Sequence, residues 1–144
     1  MGKQPQKGAN VAGIVSYDSL TTPRLHRVWN DDTSWFHVMD IEFTSTKQKI
    51  NIPVLKDPSL KLLFNEQHVN GYSIDLKPGS ILDLPASANG YLIVSQTEST
   101  VDYKINGVTQ RRILKPAHYI WVEAGRSFSL KGNNEANFVF LQLK

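Results

Sequence analysis

"LKPGSILDLPASANGYLIVSQ", residues 76–96, is the stretch whose reading decides the fold. Apolar and polar residues alternate through 72–76, 81–84 and 91–95, the period of two that marks half-buried strands. Pro78-Gly79 punctuates the first interval and Pro85 to Gly90 the second. Proline presets φ for a turn and glycine tolerates the left-handed region, so both intervals read as corners between strands. The second corner carries Pro85, Ser87 and Asn89.

The same alternation extends outward. "WFHVMDIEF" (35–43), "LKLLF" (60–64), "TVDYKI" (100–105), "RRIL" (111–114), "YIWV" (119–122), "SFSL" (127–130) and "FVFLQL" (138–143) all read as strands. Asn70-Gly71, Asn89-Gly90, Asn106-Gly107, Ala124-Gly125 and Gly132-Asn133 read as the turns between them. "YKINGVTQ" is the strongest hairpin signal, because a two-residue type I′ turn needs positive φ at both central positions and Asn-Gly supplies it. Residues 45–60 carry two prolines and read as a connection with one short strand at 50–55. No helical period stands out. Many short strands at this spacing predict an all-β sandwich or barrel. A weak internal repeat lays 24–43 over 126–144, with Arg24 on Arg126, Phe36 on Phe138 and Met39 on Leu141. It predicts two similar hairpins.

The chain has 144 residues, which predicts one domain at 11–144 behind a polar, disordered tail at 1–10. It has no cysteine, so disulfide and thiolate chemistry are excluded. A net charge of +3, with basic residues scattered among acids, lacks the concentrated stripe that nucleic acid requires. No run of 18 apolar residues exists to span a membrane as a helix. "MGKQPQKGAN" has no hydrophobic region of a signal peptide. The expected location is cytoplasmic, with an exported form whose leader has been removed left open.

On these residues the chain resembles the cupin superfamily, over 60–144 closely and 14–43 more loosely. "LKPGSILDLPASANGYLIVS" resembles the first cupin motif: a glycine, a His-x-His pair, then an acidic residue. "LKPAHYIWVEAGRSFSLKGN" resembles the second, and "STVDYKINGVTQRRI" matches the hairpin between them. The resemblance implies a cupin-type double-stranded β-helix, a jelly-roll barrel. The departures remove the metal chemistry it would otherwise imply. Gly79 stands where the motif glycine belongs, but the paired histidines fall on Pro85 and Ser87, and the acidic ligand near Gly90–Leu92. In the second motif Ala117-His118 replaces Gly-Asp, and the histidine falls at or beside Phe128. Serine is a poor ligand, and proline and phenylalanine side chains offer no donor. No metal and no cofactor are therefore expected. Of the four histidines, His37 reads as packed, and His68 and His118 as turn residues. His26, in "HRVWN", matches the ending of a second motif whose partner ligands are missing.

What the resemblance leaves is a barrel interior lined by other side chains. Carrying the inward face of Pro85 and Ser87 back along the strand adds Asp83 and Ile81. Carrying it from Phe128 adds Arg126, and Tyr91 and Trp121 complete the expected cavity. Asp83, Ser87, Tyr91, Trp121, Arg126 and Phe128 would stack and orient a small ring, a sugar or an aromatic acid. The alternative is that the aromatics fill a closed core. The expected function is non-catalytic: binding a small ligand, or a structural or regulatory role. Two alternatives stand beside it, a cupin-superfamily enzyme (isomerase, epimerase or dioxygenase-like) with a non-standard site, and a scaffolding half of a larger cupin assembly. No residue is assigned a catalytic role. The apolar hairpin 24–43, with Trp29, Trp35, Phe36 and Met39, is expected to pack on the domain or swap with a partner, giving a homodimer.

Overall fold

A computed structural model describes residues 51–144 together with Thr33, Met39, Ile41 and Glu42. The chain forms nine strands over 51–144: β1 Leu60–Asn65, β2 Val69–Leu76, β3 Ile81–Leu84, β4 Tyr91–Ser95, β5 Ser99–Ile105, β6 Val108–Leu114, β7 Tyr119–Val122, β8 Phe128–Gly132 and β9 Ala136–Leu143. No helix occurs among the described residues. Two antiparallel sheets result, a five-stranded one in the order β1-β2-β9-β4-β7 and a four-stranded one in the order β3-β8-β5-β6. Strands adjacent in sequence repeatedly land in opposite sheets, which is the winding of a jelly roll and the all-β fold class the sequence predicts.

Register explains why the core lies between the sheets. In the five-stranded sheet Tyr72, Phe140, Ile93 and Ile120 stand in one row across β2, β9, β4 and β7. Asn70, Gln142, Tyr91 and Val122 form the neighbouring row on the same face. Leu82, Leu84, Leu130, Phe128, Val101 and Tyr103 answer from the four-stranded sheet, and all of these apolar residues are buried. Fully burying one such side chain stabilises the fold by about 1.5–3 kcal/mol. Tyr72 stacks on Phe140 with ring centroids 5.2 Å apart, and Tyr91 meets the same ring at 5.2 Å and 59°.

The β5–β6 hairpin turns on Asn106 (φ 47°) and Gly107 (φ 84°), the type I′ pair its sequence predicts. Two local expectations are corrected. Asn70-Gly71 is not a turn but lies inside β2; the chain turns earlier, at 66–68. Gly71 is there because the Phe64 ring lies over it, within 2.2–2.6 Å of where a Cβ would stand. The strand expected at 50–55 is absent over 51–55, which has no regular structure. Pro53 has no N–H to give a ladder, and the segment instead packs Val54 and Leu55 against the core. Of the strand expected at 35–43, only Met39, Ile41 and Glu42 are described, and they carry no regular structure. The rest of that strand, the hairpin 24–43, its repeat relation and the tail 1–10 lie outside the described residues.

Ala117 adopts φ +67° in the corner between β6 and β7, where the cupin pattern has glycine. A Cβ in the left-handed region costs about 1–2 kcal/mol, and glycine gives back part of that in chain entropy. Ala117→Gly should therefore stabilise the protein by about 0.5–1 kcal/mol, read as a higher midpoint in urea unfolding. A lower midpoint would show that the corner is not strained.

Candidate functional site

The loop 85–90 carries the positions where the resemblance would place ligands, and β4 and the start of β8 supply the rest. Tyr91 opens β4 pointing inward, 1% exposed. Its hydroxyl donates to the Pro85 carbonyl at 2.5 Å. Burial pushes the Tyr91 phenol above its ordinary value, so the group stays protonated and works as a donor. Ser87 is buried in the loop, and its carbonyl accepts the Gly125 N–H at 2.7 Å, tying loop 85–90 to the turn after β7. The Ser87 hydroxyl faces the Tyr91 phenol and partly offsets the effect of burial on it. Phe128 opens β8, buried, with its ring 6.2 Å from that of Tyr103. Tyr91 and Phe128 thus bring a phenol and a packed ring to the interior beside this loop.

The structure brings Ser87, Tyr91 and Phe128 to the interior but not the other three candidates. Asp83 is exposed, as is Ile81 at 55%, and the inward residues of β3 are Leu82 and Leu84. Between buried Leu84 and buried Ser87 lie the exposed Pro85 and Ala86, an odd step that breaks strand parity. Carrying the face backwards through Pro85 therefore gave the wrong side. Trp121 is 46% exposed on the outer face of β7, because Ile120 and Val122 are the residues that stand beside Ile93 and Tyr91 inside. Arg126 lies exposed in the turn before β8, 3.9 Å from Glu123.

A polar group inside the barrel escaped the sequence reading. Asn70 Nδ2 donates to Gln142 Oε1 at 2.9 Å, and the Tyr72 hydroxyl donates to the same oxygen at 3.1 Å. That hydroxyl in turn accepts the Leu55 N–H at 2.9 Å. Burial raises the Tyr72 phenol as well. Asn70 Oδ1 is buried without a partner. The signal that would have found this trio is Gln142 on the inward phase of "FVFLQL", but Asn70 was read as a turn residue. The Tyr72 hydroxyl is thus shared between Leu55 and Gln142.

Among the described residues no three His, Asp or Glu side chains come together, and the chain has no cysteine. A site needs several directed donors, and at the motif positions stand proline, serine, tyrosine and phenylalanine. Among the described residues the donor set does not fit the ion that the resemblance would imply.

An aromatic recess lies elsewhere. A cleft of about 450 Å³ runs beside β7, lined by Tyr103, Ile105, Arg112, His118, Tyr119 and Trp121 among others. The Arg111–Asp102 pair near it, at 2.7 Å, is a surface contact. The Arg111 guanidinium holds the Asp102 carboxyl below its ordinary value.

No protein-family model matches the chain, and no curated protein matches it. Solved structures do. The conserved SPY1581 protein of unknown function from Streptococcus pyogenes is 15% identical with a TM-score of 0.51, over 69% of this chain and 97% of that one. KdgF from a Halomonas species is 9% identical with a TM-score of 0.50, over 60% of this chain and 82% of that one. The cupin domain of Schizosaccharomyces pombe Cnp3 is 17% identical with a TM-score of 0.49, over 57% of this chain. The match spans 61% of the Cnp3 domain's own length. The chain has the cupin fold. At these identities the likeness is one of fold, and fold does not carry function with it. Among the described residues, no helix is long and apolar enough to cross a membrane.

Proposed function

We propose that this protein is a non-catalytic, metal-free cupin-fold module that acts through its surface, as a structural or regulatory interaction domain. The observation that carries the reading is Tyr91: its ring lies in the core against Phe140, and its hydroxyl is spent on the Pro85 carbonyl. An interior so filled contributes stability rather than chemistry.

A second reading, binding of a small ligand, is favoured by the cleft beside β7. Arg112 offers a fixed positive charge, and Tyr119 and Trp121 offer exposed rings. That chemistry suits an aromatic carboxylate or a sugar acid. A thermal-shift panel of sugars and aromatic carboxylates on the full chain separates the readings. The structural role predicts no shift from any member. A dose-dependent shift abolished by Trp121→Ala would replace it with ligand binding at the cleft.

A further inference from the structure

We propose that the edge of β7, unpaired among the described residues, is a self-pairing surface, on which a second copy of this chain adds its own β7 antiparallel to make a continuous sheet across the dimer. This rests on the reading of the protein as a surface-acting module and names its partner.

The phase of the ladder identifies the free groups. The Ser95 N–H donates to the His118 carbonyl at 2.8 Å, so residue 118 turns its backbone toward β4. In an antiparallel ladder the direction alternates, so Ile120 and Val122 also face β4. Tyr119 and Trp121 turn their N–H and C=O away from it. β7 is the terminal strand of its sheet among the described residues. Both residues are open to solvent, 55% and 46% exposed. A strand carrying unpaired donors and acceptors beside exposed aromatics is a template for another strand.

Other terminal strands are less suited. β3 has an exposed carboxylate at Asp83, and β6 carries Arg111 and Arg112 on successive faces. β1 is broken by a bulge between Leu62 and Phe64. "YIWV" has no charge, no proline and no bulge in its pairing.

The sequence around β7 is complementary to itself. A two-fold axis at Ile120 places Tyr119 opposite Trp121 of the second copy and the reverse, so every free backbone donor and acceptor of one strand meets its counterpart. The aromatics then form cross-strand pairs on the outer face. The inner side chain of the added strand enters the cleft lined by Tyr103, Ile105 and Ile120. Charge agrees with this direction: Lys115 and His118 precede β7 and Glu123 follows it. An antiparallel partner therefore brings the acidic end of one strand to the basic end of the other. A parallel partner would set like against like.

The test is sedimentation velocity on the full chain, up to roughly 1 mM, where even weak complexes form. Trp121→Pro removes an N–H that points away from β4, which an edge strand tolerates. Tyr119→Lys is the second variant, should the first not fold. Ile113→Lys, at a 63% exposed position on β6, is the control. A concentration-dependent dimer is expected for the parent and for Ile113→Lys, weakened at least tenfold in Trp121→Pro and Tyr119→Lys. A parent that stays monomeric overturns the proposal. So does a dimer that both β7 variants leave intact, or one that Ile113→Lys abolishes. Bound metal or catalysis in the same preparation would instead remove the surface-acting reading and leave the dimer result standing.

Discussion

Gly90→Ala is expected to destabilise the protein by about 3–4 kcal/mol, among the largest effects of any single substitution. Two costs combine. Gly90 has φ +82°, where a Cβ alone costs about 1–2 kcal/mol. That Cβ would also stand 2.3 Å from the Val122 carbonyl oxygen and 3.2 Å from the Ala124 nitrogen, both backbone atoms in the strand and turn that close the barrel end. Backbone held by β4–β7 pairing cannot yield as a side chain does. Gly79 is the internal control: its φ is +83°, but nothing lies within 4 Å of its Cβ position. Gly79→Ala should cost only the conformational part, about 1–2 kcal/mol. Paired urea melts read the difference. Equal losses would show that the close approach at Gly90 does not exist in solution.

Tyr91→Ala should cost about 3–5 kcal/mol, the range for emptying a large aromatic site in a packed core. The ring is 1% exposed and packs on Phe140, so its loss leaves a hole between the sheets. Tyr91→Phe keeps the ring and removes only the bond to the Pro85 carbonyl, for about 1–2 kcal/mol. The pair of variants separates packing from hydrogen bonding. pH gives a further reading. Burial raises the Tyr91 phenol above its ordinary value of 10.0, so the folded state holds its proton longer than the unfolded chain. Stability from this group is therefore complete below about pH 10 and is lost as pH rises beyond it. Tyr91→Phe should flatten that alkaline loss without abolishing it, because Tyr72 is raised by burial in the same way. An unchanged alkaline slope would mean that the phenol is solvated.

The parts of this fold legible in the sequence are those set by local rules. Alternation placed strands at 60–64, 81–84, 91–95, 119–122 and 138–143, each within the strand or within a residue or two of its ends. Asn106-Gly107 fixed a hairpin because only certain residues accept positive φ twice in succession. The candidate site was half legible. Tyr91 and Phe128 were assigned inward and are buried, while Asp83, Trp121 and Arg126 were assigned inward and are exposed. Trp121 was misplaced because alternation says which residues share a face but not which face is the core. Only pairing settles that, as when Ile120 stands beside Ile93 and leaves Trp121 outside. Where the chain leaves the strand, at Pro85–Ala86, even the sharing of a face lapses. Asn70 was hidden for a related reason. Asn-Gly usually turns a chain, but here a buried amide partner on β9 and a ring over the glycine hold it extended.

The proposal of a metal-free module rests on Tyr91, whose ring is buried against Phe140 and whose hydroxyl is bonded to the Pro85 carbonyl.

Metal content of the 144-residue chain, purified without chelator and measured by inductively coupled plasma mass spectrometry, tests that account most directly. Iron, manganese, nickel and zinc should each be far below one per chain, and adding them should leave the melting temperature unchanged. One tightly held ion per chain, lost together with stability on treatment with a chelator, would contradict it.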